Sequence, residues 1–399
     1  MTIVIRGGTL LPMGDGPSVM RGDILVRGRQ IAAVGKVAAP SDAALIDASG
    51  CYVMPGLVQT HVHLVQTLFR GLAEDLSLLE WLRRRVWPLE AAHDETSLRA
   101  SVRLGLLDLL VTGTTTVLDM GTTHGGDVVA EEIVRSGIRA RFGQAMMDAG
   151  EGVPPKLKET TRGSLDASAA LITRWHGQDG GRVGYAYAPR FALSCTRELL
   201  EAVATLAKIG GMLVHTHSNE DAAERKLIGS VTGRAPAAYL YDVGIASERA
   251  VFAHGVHVDA DERALLAASG TAIAHCPSSN LKLGAGIADV PALRAAGITV
   301  GLGADGAACN NRLDAFEEAR LAALLARARA GPGALTALDV LRMATVDGAR
   351  ALRMHDQIGT LAVDRRADLI VLDAERLAPG GAPATRIVFG GGSRAVRDV

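Results

Sequence analysis

Two histidines stand one residue apart at His61 and His63, and two more at His215 and His217. In an extended segment, residues two apart project to the same side, so each pair can aim two imidazoles at one point. Single histidines at His254 and His275, and a carboxylate at Asp305, end other short apolar runs: AVFAH, TAIAH and ITVGLGAD. Imidazole nitrogens joined by one carboxylate oxygen suit Zn²⁺ or Fe²⁺, and suit Ca²⁺ or Mg²⁺ poorly, because those ions prefer all-oxygen sites. One histidine at a strand end is ordinarily hydrogen-bonded packing. Several strand ends agreeing is a constellation.

The elements that must position these groups can be read from the same sequence. Eight apolar runs follow one another from Gly56 onward: LVQTHVH, TTTVLDM, IRARFGQAMM, RVGYAYAP, MLVHTH, AVFAHGV, TAIAHCP and ITVGLGADG. Between them lie longer segments of helical period, such as SLRASVRLGLLDLLV and RELLEAVATLAKI. Alternating βα units over residues 55–357 predict a (β/α)8 TIM barrel, whose reactive groups sit at the C-terminal ends of its strands. A doubly wound sheet is the competitor, but no G-x-G-x-x-G opens a helix after a strand. Residues 1–54 and 358–399 read as short strands broken by glycine turns, and predict one small β-sandwich domain built from both ends of the chain.

Composition narrows the partner. The 399 residues carry 42 basic and 43 acidic side chains, a formal charge of −1, which leaves no electrostatic footprint for nucleic acid or an anionic membrane. No apolar run approaches the roughly 18 residues of a membrane span. The opening segment is interrupted by Arg6, Gly7 and Gly8, unlike a secretory signal, and the four cysteines form no C-x-x-C pair. A cytoplasmic protein acting on a small, weakly charged molecule is the expectation.

PGLVQTHVH, HTHSNE, AHGVH, HCPSSNLKL and GADGAACNN, in this order, together resemble the amidohydrolase superfamily. The resemblance is to its branch of cytosine, guanine and adenosine-derivative deaminases and triazine hydrolases, and it covers nearly the whole chain. It implies one divalent metal, zinc or else iron, held by His61, His63, His217 and Asp305. The family's H-x-x-E fits His217 to Glu220, making Glu220 the acid/base that protonates a ring nitrogen, and leaves His215 as support. His254 would hold the nucleophile, and Asp305 would take the proton of a water whose pKa the metal lowers towards 7. A related subclass bridges two metals with a carboxylated lysine from the fourth strand. RVGYAYAPRFALSC contains no lysine, so a single metal is expected.

The resemblance is divided over the substrate. PRFALSC, with Arg190, is similar to a guanine-deaminase segment in which arginine contacts an oxo-purine, and Gln66 falls where those enzymes keep a purine-binding glutamine. DMGTTH, with His124, is similar to the same group. GADGAACNN and FRGLAEDLSLLEWLRRRVWPLE are closer to deaminases of S-adenosylhomocysteine and methylthioadenosine, in which the residue matching Glu90 contacts ribose. Trp81 would wall the pocket, while Arg83, Arg84 and Arg85 would form a solvated face. The fixed fork of Arg190 suits a carbonyl edge, so the leading expectation is a guanine-type or other 2-amino-oxo ring. The alternatives are an S-adenosylhomocysteine, methylthioadenosine or 5′-deoxyadenosine deaminase, an s-triazine amino- or chlorohydrolase, and a catalytically dead binding module. Similar enzymes are commonly homodimers. They also continue past SRAVRDV into a further strand, which the resemblance implies is short or missing here.

Overall fold

The computed structural model describes residues 1–399. The chain packs as two compact units, one of Met1–Val58, Leu109–Thr116 and Asp314–Val399, the other of Gln59–Asp108 and Val117–Leu313.

The first unit carries a seven-stranded sheet drawn from both ends of the chain. Thr2–Leu10 is its hinge: its first half pairs in parallel with Ala44–Asp47, its second half with Cys51–Pro55, and Met20–Arg27 runs antiparallel beside it. A bulge between Ile5 and Gly8 marks the change of partner, as bulges do where a strand must bend. Leu369–Asp373 joins antiparallel to Cys51–Pro55, and Val396–Asp398 forms the edge. The alternation of Ile and Val with polar residues sends Ile5, Leu10, Ile24, Val26, Ile31, Val53 and Val371 into one buried cluster.

The second sheet is the predicted barrel. Its strands are β1 (Leu57–His63), β2 (Thr114–Asp119), β3 (Arg139–Phe142, extended by Ala145–Met146), β4 (Val183–Pro189) and β5 (Leu213–Ser218). They continue as β6 (Ala250–His254), β7 (Ala272–His275) and β8 (Val300–Leu302, resumed at Asp305–Gly306). The order β5-β6-β7-β8-β1-β2-β3-β4, with β4 pairing back to β5, closes the sheet. From β3 through β8 each strand runs parallel to the next, and a helix follows each strand, from Glu95–Val111 after β1 to Ala315–Ala330 after β8. No helix is long and apolar enough to cross a membrane. β1 and β4 are buried along their whole length, which explains why they read as apolar runs rather than alternating ones.

The seam between β1 and β8 carries the most polar reinforcement. The ladder there pairs Leu302 with Gln59, breaks, and resumes with Asp305 beside Val62 and Gly306 beside His63. Buried Gln59 spans the break: its Nε2 donates to the carbonyl of Leu313 at 3.0 Å, and its Oε1 accepts from the amide of Ala304 at 2.8 Å. Gly303 lies in this gap, where a Cβ would stand 2.7 Å from the carbonyl oxygen of His61 and 3.0 Å from its nitrogen. Only glycine lets the two backbones approach so closely. Gly303→Ala is therefore expected to cost about 1–3 kcal/mol of stability by overpacking, read as a lowered denaturant midpoint; an unchanged midpoint would refute this account of the seam.

Candidate metal centre and active site

The strand ends deliver the expected side chains to one place. Ligand atoms of His61, His63, His217 and Asp305 all lie within 4.8 Å of one another, and so do those of Glu220, His254 and Asp305. Asp305 belongs to both groups. Its Oδ1 stands 3.2 Å from His61 Nε2 and 3.5 Å from His63 Nε2, and the Nε2 atoms of His63 and His217 are 3.2 Å apart. Four donors around one tetrahedral zinc, each about 2.0–2.1 Å from the ion, stand roughly 3.3 Å from each other. The donor set fits a divalent metal.

Tautomers are set by the groups behind the rings. His217 Nδ1 donates to the carbonyl of Arg190 at 2.7 Å, which leaves the Nε2 lone pair facing the centre. His61 Nδ1 is 2.7 Å from His215 Nε2, so His215 is a partner of a ligand and lies outside the ligand group. His254 Nδ1 donates to Asn280 Oδ1 at 2.9 Å, which turns Nε2 towards Glu220 Oε2 (3.4 Å) and Asp305 Oδ2 (3.9 Å). Ser279 donates to Asp305 Oδ2 at 2.7 Å. The Nε2 atoms of His61 and His254 are buried without a hydrogen-bond partner, a state that buried polar atoms avoid unless something else engages them.

Burial decides the charges. It pushes His63 and His217 well below the ordinary histidine range, with neighbouring imidazoles adding to the effect, so both rings are neutral and able to ligate. Burial also lowers His254 to about 4. Asp305 is pushed up by burial, but His61, His254 and His63 outweigh that and hold its carboxyl well below the usual range. Glu220 goes the other way: burial first, then the negative charges of Asp305 and Glu224, raise it well above an ordinary glutamate. Two carboxylates with opposed shifts in one site are the signature of divided acid and base roles.

Local sequence explains how Glu220 is held. Asp221 caps the helix Ala222–Thr232 in a capping box with Glu224. The Glu224 carboxylate also accepts from the amide of Glu220 at 2.9 Å. Asn219, His254 and Asp305 adopt positive φ angles of 58°, 78° and 61°. Such backbone costs of order 1–3 kcal/mol per residue and gathers where function demands it. Asn219 is pinned in that state by its Nδ2, which donates to the carbonyl of His257 and to Glu262 Oε1.

A pocket of about 370 Å³ opens on these groups, lined by His63, Gln66, Leu78, Trp81, Leu82, Arg190, Phe191, His217, Glu220, His254 and Asp305. Trp81 walls the pocket, as expected, and is also buried in the apolar cluster with Trp87. Glu90 and His124 do not line it. Glu90 is fully buried behind the wall and forms a two-pronged ion pair with Arg190, at 2.7 and 3.0 Å, so the expected ribose contact is engaged elsewhere. His124 is half-buried, with Nδ1 at 3.4 Å from its neighbour Thr123. His275 is buried at the end of β7, outside both ligand groups, with burial lowering it to about 3. Arg83, Arg84 and Arg85 are exposed, as expected of a solvated face.

A model of the amidohydrolase family matches residues 52–399. The 5-methylthioadenosine/S-adenosylhomocysteine deaminase of Symbiobacterium thermophilum is 40% identical over 381 residues, covering 94% of this chain and 86% of that protein. The zinc-bound structure of an adenosine deaminase from Xanthomonas campestris superposes with a TM-score of 0.92 at 32% identity, covering 99% of this chain and 90% of that one. Guanine deaminase of E. coli is similar at a TM-score of 0.90 and 26% identity, covering 99% and 96%.

His215→Ala is expected to weaken metal binding about 10–100-fold, because it releases the ring of His61. Competition against a chelator measures this, and an unchanged affinity would show that His215 only fills space.

Proposed function

The chain belongs to the amidohydrolase family, and from that premise we propose that it is a metal-dependent hydrolytic deaminase whose leading substrate class is the 5′-modified adenosines. The observation that carries the reading is the meeting of four ligand atoms with Glu220 and His254 at the floor of one pocket.

The residues divide the work. His61, His63, His217 and Asp305 would hold one divalent ion, with zinc the first candidate, and a bound ion supplies Lewis acidity that brings the pKa of water towards 7. The apolar wall of Leu78, Trp81, Leu82 and Phe191 takes the faces of a flat ring and excludes bulk water. Glu220, whose carboxyl burial pushes well above the ordinary glutamate range, donates a proton to a ring nitrogen, which makes the adjacent carbon electrophilic. Asp305 accepts the proton of the attacking water, and neutral His254 orients that water through Nε2. A carbon–oxygen bond forms, Asp305 passes the proton it took from the water to the amino group, and the carbon–nitrogen bond breaks with its electron pair staying on nitrogen; ammonia leaves, and the hydroxyl proton returns to Glu220 as the carbonyl forms.

Two observations favour the adenosine class over the guanine-type ring that Arg190 had led us to expect. The S. thermophilum relative, at 40% identity, is a deaminase of adenosine derivatives. In addition, Arg190 spends one N–H of each terminal nitrogen on Glu90, which commits that edge of its fork to the carboxylate. The intact ligand set argues against a catalytically dead module.

Ammonia release is expected from 5′-deoxyadenosine, methylthioadenosine or S-adenosylhomocysteine in preference to guanine, pterins or amino-triazines. Preference for guanine would overturn the substrate class, and release of chloride or alkylamine from a triazine would overturn the reaction. Purified protein is expected to hold about one equivalent of metal per chain, the single-ion form with three histidines and an acid, with activity lost to a chelator and restored by metal. Glu220→Gln is expected to lower activity at least about a hundredfold with metal content unchanged. Loss of metal in that variant would make Glu220 a ligand.

A further inference from the structure

Glu262 receives four donors, and its own helix needs only one of them. In the capping box of the helix Ala260–Ser269, its Oε2 accepts from the amide of Asp259 at 3.2 Å. The same oxygen takes Arg225 Nη1, from the helix that follows Glu220. Oε1 accepts from the amide of Ala237 and from Asn219 Nδ2, both at 2.9 Å. The residue is 1% exposed. A carboxylate withdrawn from water is costly unless its lone pairs are met, and here donors from three separate segments beyond its own cap meet them.

The bond to Asn219 is the one that reaches the site. Asn219 stands between His217 and Glu220, at a φ of 58° that must be held from outside. Its Oδ1 accepts from Ser218 Oγ at 2.7 Å, and its Nδ2 donates to the carbonyl of His257 at 3.0 Å as well as to Glu262. Its own carbonyl accepts from the amides of Val256 and His257, each at 2.9 Å, and the amide of Gly255 donates to the carbonyl of Ser218 at 3.2 Å. These bonds tie the end of β5 to the loop after β6. Glu220 follows Asn219, and His254 precedes Gly255. The tie therefore fixes how far Glu220 Oε2 stands from His254 Nε2, which is 3.4 Å.

We propose that Glu262, which lies outside both ligand groups and does not line the pocket, is a positioning residue that acts through Asn219 to set the spacing of Glu220 and His254. This rests on the reading of Glu220 and His254 as the proton donor and water-orienting group of a deaminase. Arg225 balances the charge of Glu262 and donates to the carbonyl of His257 at 2.8 Å, so it braces the same loop from the far side. A misplacement of about 1 Å in a reacting group costs about a hundredfold in rate, which is the scale on which such a tie acts.

A double-mutant cycle on the metal-loaded protein tests this. Asn219→Gly removes the side chain while leaving a residue that adopts the same positive φ freely. Glu262→Met removes the acceptors; should it fail to fold, Glu262→Asp keeps the charge facing Arg225 but draws it back from Asn219 by one methylene. Each single variant is expected to lower kcat by about 10–100-fold, with KM within about threefold of wild type and metal content unchanged. Because Glu262 acts through Asn219, the double variant is expected to be no more than about threefold slower than Asn219→Gly alone. Effects that multiply in the double variant overturn the proposal, as does a variant at position 262 that melts at a lower temperature with kcat unchanged. Loss of metal in Asn219→Gly also overturns it, because the network would then be holding His217. A crystal structure of the Glu262 variant is read without turnover: the Glu220 carboxylate is expected to shift by more than about 0.5 Å relative to His254 Nε2, and an unshifted pair contradicts the proposal. Failure of the deaminase reading is a separate result, the absence of ammonia from every compound with wild-type protein, and leaves the crystallographic test standing.

Discussion

Three imidazole nitrogens and a carboxylate oxygen meet in one buried spot, an arrangement that a bound cation would stabilise. That arrangement organises the second unit. The Nε2 atoms of His63 and His217 face each other at 3.2 Å, and Asp305 holds its negative charge against the push of burial because His61, His254 and His63 surround it. Behind the rings, His215, the Arg190 carbonyl, Asn280 and Ser279 each take the outward-facing atom of a site residue. The hydrogen bonds run away from the centre, and the lone pairs run into it.

Closing the barrel is what brings these atoms together. β1 supplies His61 and His63 and β8 supplies Asp305, and they meet at a seam where the ladder is interrupted. The interruption frees Asp305 to turn inward with φ of 61°. Gln59 restores the missing hydrogen bonds, and Gly303 permits the close approach. Backbone strain at Asn219 and His254 has the same character: each lies at a strand end, and each is tied down by neighbours that over-determine its conformation.

The barrel strands and the metal-side residues were legible because their signals are local. A His-x-His pair at the end of an apolar run carries its own geometry, and so does an acid followed by a capping box. The substrate side was not legible in the same way. Glu90 and Arg190 lie 100 residues apart, and nothing in either segment says that they meet. Read singly, Arg190 is a free fork and Glu90 a free carboxylate; together they form a buried, two-pronged ion pair. His124 stands on the loop after β2, and the path of such a loop is set by packing rather than by its own residues. The terminal strands other than Val396–Asp398 were legible as strands, but the split partnership of Thr2–Leu10 depends on a bulge that periodicity does not reveal.

X-ray absorption at the edge of the bound metal tests the central claim most directly. The account predicts a single ion with nitrogen and oxygen neighbours at about 2.0–2.2 Å, dominated by imidazole scattering. A sulfur neighbour at about 2.3 Å, or a second metal at about 3.5–4 Å, would contradict it.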